Sequence, residues 1–165
     1  MRTMSGPTRR MRAARCLFAL AGLTAAAACN DDTTRPQLRT LAAAEAQWQA
    51  SSARDAYVIT QTRECFCPFG PTAFSVTVIR DTITLVRNLS TGDVVDPAQW
   101  TLYRTVLQLF AEVRRSLATP GMLREVQYDA TRGIPTTLSL DPVLNAVDDE
   151  IVYRTTFVGP AGSAP

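Results

Sequence analysis

Between Phe74 and Val86 the side chains alternate, apolar then polar, as Phe-Ser-Val-Thr-Val-Ile and Thr-Ile-Thr-Leu-Val on either side of Arg80-Asp81. A period of two marks a strand with one wet face and one buried face. If Ile79 opposes Thr82 across a two-residue turn, Val78 meets Ile83, Val76 meets Leu85 and Phe74 meets Arg87, so one face of the hairpin is almost wholly apolar. Arg-Asp is not the Asn-Gly that a tight turn favours, which leaves a slip of one residue open. An apolar sheet face has to be covered, and the rest of the chain offers helices to cover it.

Two stretches have helical spacing. Pro36 suits a first turn, and Leu38, Leu41, Ala44 and Trp48 recur on one face opposite Arg39, Ala43, Gln47 and Ala50, which predicts a helix over 38–51. Thr105 and Gln108 form a capping-box pair ahead of the stripe Val106, Leu109, Phe110, Val113 and Leu117. Pro120-Gly121 stops that helix, and Asp96-Pro97 offers it an extra turn at the start. Strands are predicted over 56–66, 123–129, 135–140 and 151–158, with Val126 and Tyr128 facing Leu138 and Thr136 across a turn at 130–133. The expected class is α+β, with two helices packed on a mostly antiparallel sheet of about six strands in the order αβββ-αβββ. A duplicated αβββ unit gives the same order, although no identity of residues between the halves backs duplication.

The start of the chain reads as an address. Arg2, Arg9, Arg10, Arg12 and Arg15 precede the small apolar stretch from Cys16 to Ala28, as in a secretory leader, and Ala26-Ala27-Ala28-Cys29 resembles the bacterial lipobox, in which the cysteine is acylated. Leucine is usual three positions before that cysteine, where Ala26 stands. The expected division is a leader at 1–28, a polar tether at 29–37, a single domain at 38–160 and a disordered tail at 161–165. All 17 basic residues are arginine and five lie in the leader, leaving 12 against 15 acids, a net charge of −3. A nucleic-acid partner, which calls for a basic face, loses its support.

Cys65 and Cys67 stand at the end of the first predicted strand. Two residues of strand separate Cα atoms by ~6.6 Å, the upper edge of the ~4.4–6.8 Å that a disulfide spans. A bond between them therefore needs a kink, which Pro68, Gly70 and Pro71 make reachable. Three readings stand side by side: two buried free thiols, a disulfide, or a redox or metal-handling pair. Cys-x-Cys is a weak metal signal, because tetrahedral zinc needs four ligands.

The chain contains neither histidine nor lysine. Ser-His, Cys-His and Schiff-base sites are thereby excluded, and carboxylate and thiol chemistry remain. Asp141 with Asp148, Asp149 and Glu150 is a candidate oxygen site for calcium, against the ordinary reading of a solvated turn. Asp129 is expected to cap its own turn, with Gly133 supplying a positive φ. Trp48, Phe110, Tyr128 and Tyr153 are expected in the core.

Taken together, Trp48 and Tyr57, Cys65-Phe66-Cys67, the hairpin from Phe74 to Val86, Leu109-Phe110, Tyr128-Asp129 through Gly133 and Pro135, and Asp141 with Asp148-Asp149 carry a family likeness. Over most of its length after residue 40 the chain resembles a bacterial secreted and lipoprotein family of uncharacterised proteins, the domain of unknown function 6174 type. The resemblance implies a fold and a compartment, and brings no catalytic residue. The expectation is an exported, lipid-anchored module that meets the membrane through Cys29 and binds a protein or peptide partner, with no catalysis, cofactor or nucleic acid. The alternative is a thiol-disulfide or metal-handling protein using Cys65 and Cys67.

Overall fold

The computed structural model describes residues 34–67, 70–143, 146 and 148–162. The expected leader, Cys29 and the first part of the tether lie outside the described residues, as do Pro68, Phe69 and the end of the tail. In chain order the elements are α1 (Thr34–Gln49), β1 (Ala56–Glu64), β2 (Ala73–Ile79), β3 (Thr82–Asn88), a 3-10 turn (Pro97–Leu102), α2 (Val106–Leu117), β4 (Leu123–Tyr128), β5 (Pro135–Leu140) and β6 (Ile151–Pro160). Helix α1 thus starts inside the stretch expected as tether. The six strands form one sheet in the order β3-β2-β1-β6-β5-β4, and every neighbouring pair is antiparallel. The two three-stranded halves meet where β1 pairs with β6.

Both helices lie on one face of this sheet. Leu41, Ala44 and Trp48 from α1 and Val106, Leu109, Phe110 and Val113 from α2 close over Tyr57, Ile59, Val76, Val78, Leu138 and Tyr153. Trp48, only 1 % exposed, meets the Tyr57 ring edge-on with centroids 5.1 Å apart, a favoured aromatic geometry. Helix α2 starts where the capping box places it. Thr105 Oγ1 accepts from the Gln108 backbone N–H at 3.2 Å, and Gln108 Oε1 accepts from the Thr105 N–H at 3.0 Å. Arg114 and Arg115 occupy its last turn, the end where the helix dipole favours cations. Of the four aromatics expected in the core, Trp48, Phe110 and Tyr153 are buried and Tyr128 is half-buried.

The hairpin turn forms across Arg80-Asp81, with Ile79 opposite Thr82 and Val78 opposite Ile83. Both turn residues adopt positive φ, 48° and 57°, the geometry a two-residue hairpin needs even without Asn-Gly. The expected register then fails by one residue. Val76 meets Val86 rather than Leu85, and Phe74 meets Asn88 rather than Arg87. Thr84 is the extra residue, and its hydroxyl donates to the Thr77 carbonyl at 3.3 Å. The bulge turns Val86 into the core and moves Leu85 to the opposite face, because one inserted residue inverts the alternation. A second irregularity between Gln127 and Tyr128 sets Tyr128 opposite Pro135 instead of Thr136, while Val126 meets Leu138 as expected.

Three tyrosines make the fold sensitive to alkali. Burial pushes the Tyr57 phenol well above its ordinary range. Burial likewise pushes Tyr103 up to about 12, against the opposing effect of Arg63, and Tyr128 up to about 12 with help from Glu45. A raised pKa means that the native state holds the proton more tightly than the unfolded chain does, so stability is fully present below the unfolded value of about 10 and is lost above it. The urea midpoint is expected to hold steady between about pH 7 and 9 and to fall above about pH 10. A midpoint that is unchanged at pH 11 would contradict this account of the three phenols.

Candidate functional site at the end of β1

The core-facing row of β1 runs Tyr57, Ile59, Gln61, Arg63, and its polar members each hold something in place. The Tyr57 hydroxyl accepts from the Val106 N–H at 2.8 Å, fixing the first turn of α2. Gln61 is fully buried. Its Oε1 accepts from the Arg104 N–H at 2.9 Å, and its Nε2 donates to the Arg104 carbonyl at 3.3 Å and to Thr155 Oγ1 at 3.2 Å. Arg63 continues the row at the end of the strand, opposite Tyr153 on β6. Its Nη1 donates to Cys67 Sγ at 3.1 Å, and its Nε is buried with no hydrogen-bond partner among the described residues. Neighbouring Glu64 is turned to the other face and paired with Arg154 at 2.7 Å, which holds the Arg154 guanidinium more firmly protonated.

Past Glu64 the pairing with β2 and β6 ends, and the chain is free to fold back on itself. The Cys67 N–H donates to the Cys65 carbonyl at 2.8 Å, a three-residue turn that draws the two Cα atoms to 5.2 Å, and the sulfurs are joined in a disulfide. The reading of Cys65 and Cys67 as buried free thiols on one strand face is therefore corrected. Strand geometry stops two residues earlier than expected, and both cysteines are half-buried. Phe66, between them, is 87 % exposed, the most exposed large hydrophobic residue among those described.

A bond between residues two apart closes a very short loop and so restrains the unfolded chain very little, since the entropic effect of a cross-link grows with loop length. Its effect is local. It ties the chain into a covalent ring that presents Phe66 to solvent at the tip.

The carboxylates expected as a calcium site are not gathered. Among the described residues no group of three or more acid or thiol side chains is placed to hold a metal. Asp141 is buried and carries Arg124 on its Oδ2, so its counter-ion is a guanidinium. Asp149 Oδ2 accepts from the Val143 N–H of its own loop at 2.7 Å. Asp148, at φ 68°, and Glu150 are exposed. Both sulfurs of the candidate thiol pair are taken up by their mutual bond. The loop that carries these acids lies at the same end of the sheet as the tip, because Leu140 pairs with Ile151 and Glu64 with Val152.

The turn after β4 is a clamp on α1. Asp129 Oδ1 accepts from the N–H groups of Thr131 at 3.1 Å and Arg132 at 2.6 Å, and its backbone exchanges bonds of 2.8 Å with Gly133 and Ile134. Gly133 has φ +73°, and a Cβ there would lie 2.9 Å from the Ala44 Cα and carbonyl carbon and closer still to the carbonyl oxygen. Gln47 of α1 donates to the Ala130 carbonyl at 2.7 Å. Tyr128 and Pro135 bracket this turn as the opposed pair of β4 and β5. These residues hold a helix to a hairpin.

A depression of about 630 Å³ lies between the Arg80-Asp81 turn and α2, lined by residues including Asp81, Trp100, Tyr103, Arg104 and Glu112. Two of its charged residues are occupied with one another: Arg104 pairs with Glu112 at 3.4 Å and donates to the Thr101 and Tyr103 carbonyls. Sequence reasoning found the cysteines but missed Gln61 and the direction of Arg63. The available signal was the row Tyr57, Ile59, Gln61, Arg63, in which two polar residues continue an apolar face. Among the described residues no helix is long and apolar enough to cross a membrane.

No curated protein and no solved structure matches the chain. A family model described as a family of unknown function (DUF6174) matches residues 40–160. That span contains the whole sheet, α2, the disulfide-closed tip and the Asp129–Gly133 clamp, and the chain belongs to this DUF6174 family.

Proposed function

We propose that the protein acts by binding a protein partner through the Cys65-Phe66-Cys67 tip, without a cofactor. The observation that carries this reading is Phe66, 87 % exposed on a covalently closed turn at the end of a central strand. Burying a phenyl ring is worth about 1.5–3 kcal/mol, and aromatic anchors held in one conformation lose the least entropy on association. The absence of histidine and lysine supports binding over catalysis that needs an imidazole or an amine. The basic leader and Ala26-Ala27-Ala28-Cys29 support export and a lipid anchor on a bacterial membrane, with the domain facing the periplasm or the cell exterior. The acid excess beyond residue 28 speaks against nucleic acid.

The test is a photo-crosslinking amino acid placed at Phe66, and separately at Val158, in the exported protein. Val158 is 62 % exposed near the end of β6 that lies beside Val58, at the opposite end of that strand from the residues paired with Arg63 and Glu64. A discrete protein adduct at position 66 and none at 158 is the expected result. Equal labelling at both positions, or none at 66, refutes the reading. Phe66→Ala is expected to abolish partner binding while changing the unfolding free energy, read from urea titrations, by less than about 0.5 kcal/mol, as for other exposed side chains.

A further inference from the structure

We infer that the Cys65–Cys67 disulfide is exchangeable and oxidises a pair of cysteine thiols on the docked partner, with Cys65 as the sulfur attacked and Cys67 as the sulfur released. The inference rests on the reading of the tip as a docking surface and adds the chemistry of what docks there.

Three observations carry it. The bond lies in a turn beyond the last paired residue of β1, with both cysteines only partly buried, so no sheet hydrogen bond has to break for a thiolate to reach it. It joins residues two apart and contributes little to holding the fold, so opening it leaves the sheet intact. The two sulfurs are also unlike. Cys67 Sγ receives Arg63 Nη1 at 3.1 Å, and no such contact is made to Cys65 among the described residues. Glu64, the acid next in sequence to Arg63, is bound by Arg154 on the far side of the strand and leaves the guanidinium charge free to act on sulfur. A neighbouring cation lowers a thiol's pKa, and the sulfur of lower pKa is the better leaving group.

The exchange balances with a protein dithiol as the reductant. A partner thiolate attacks Cys65 Sγ, a bond forms between the partner's sulfur and Cys65, and the Cys65–Cys67 bond breaks with its electron pair leaving on Cys67 beside Arg63. The partner's second thiolate then attacks the partner sulfur of the mixed disulfide and expels Cys65, which takes a proton from solvent. The partner dithiol loses two electrons and becomes a disulfide; Cys65 and Cys67 gain them and become a thiol and an Arg63-paired thiolate. Because Arg63 favours the reduced form, it makes the pair more oxidising, as stabilisation of a reduced dithiol does in general. Arg63 is a positioning residue here and touches no substrate.

The test is equilibration of the folded, full-length protein with reduced and oxidised glutathione over a range of ratios, read by alkylation and mass, together with the pH dependence of thiolate absorbance in the reduced protein. Wild type is expected to pass from disulfide to dithiol within the accessible ratios, with one thiol titrating well below the ordinary value of about 8.5. Arg63→Gln should shift the equilibrium about tenfold toward the disulfide and raise that titration, in line with one pKa unit per tenfold. Arg63→Lys should restore most of both, and Arg114→Gln, a substitution on α2 where Arg114 pairs with Glu45, should change neither. A disulfide that resists every glutathione ratio, or an Arg63→Gln protein that behaves as wild type, overturns the inference. Phe66→Ala should leave the glutathione equilibrium unchanged, since glutathione needs no docking. Failure of exchange with crosslinking at position 66 intact therefore sinks the redox chemistry alone, and loss of crosslinking with exchange intact sinks the docking.

Discussion

Gly133→Ala is expected to destabilise the protein by about 2–5 kcal/mol, the widest-reaching effect of any single substitution considered. Two costs combine. At φ +73° an alanine sits in the left-handed region at about 1–2 kcal/mol. Its Cβ would also meet the backbone of α1 at Ala44, and forcing an extra carbon into a packed interior costs about 1–3 kcal/mol. Backbone cannot swing aside as the end of a long side chain can, so α1 has to move, along with the Leu41 and Trp48 packing it carries. The two costs can be separated inside the same molecule. Gly92 has φ +80° with nothing near the position of a Cβ, so Gly92→Ala measures the backbone cost alone, at about 1–2 kcal/mol. Gly133→Asn tolerates the positive φ but keeps the Cβ, so it should remain almost as damaging as alanine. Equal urea midpoints for Gly92→Ala and Gly133→Ala would show that the contact with Ala44 does not matter.

The second large effect is at Gln61. Gln61→Leu keeps the volume close to native and removes one acceptor and two donated bonds, leaving the Arg104 N–H, the Arg104 carbonyl and the Thr155 hydroxyl to find other partners. Each buried polar group so orphaned costs about 1–3 kcal/mol. Arg104 is only partly buried, and water can reach part of the gap, so a total of about 2–4 kcal/mol is expected from the same ranges. Thr155→Val on the wild-type background should cost less than Gln61→Leu. The double variant should cost less than the sum, because it removes both ends of one bond. Strict additivity in denaturant midpoints would mean that the Gln61 to Thr155 bond contributes nothing.

Much of this architecture was legible because periodicity reports burial. The Phe74 to Val86 alternation gave a hairpin, the Thr105-x-x-Gln108 spacing gave the start of α2, and Val126 found Leu138. What escaped has a common cause. The bulge at Thr84 inserts a residue that no pattern of apolar side chains marks, since Leu85 and Val86 are both acceptable core residues and only three-dimensional packing chooses between them. The same holds at the tip. Strand propensity continues through Cys65-Phe66-Cys67, but a strand exists only while neighbours pair with it, and β2 and β6 stop at or before Glu64. The acids at 141 and 148–150 looked convergent in sequence, and each is in fact taken by Arg124, by its own loop's backbone, or by solvent. Asp129 and Gly133 were read correctly as turn chemistry, but their clamp on α1 depends on Ala44, almost 90 residues away in the chain.

The central claim is that the end of β1 is an exposed, disulfide-closed site and not a patch of core. The most direct measurement is the count of alkylatable thiols at Cys65 and Cys67 in the native full-length protein, taken without denaturant, before and after mild treatment with reduced glutathione. No reactive thiol before treatment and two after it, with the fold intact by circular dichroism, is the predicted result. Two free thiols that become reactive only when the protein is unfolded would contradict the account and return Cys65-Phe66-Cys67 to the interior.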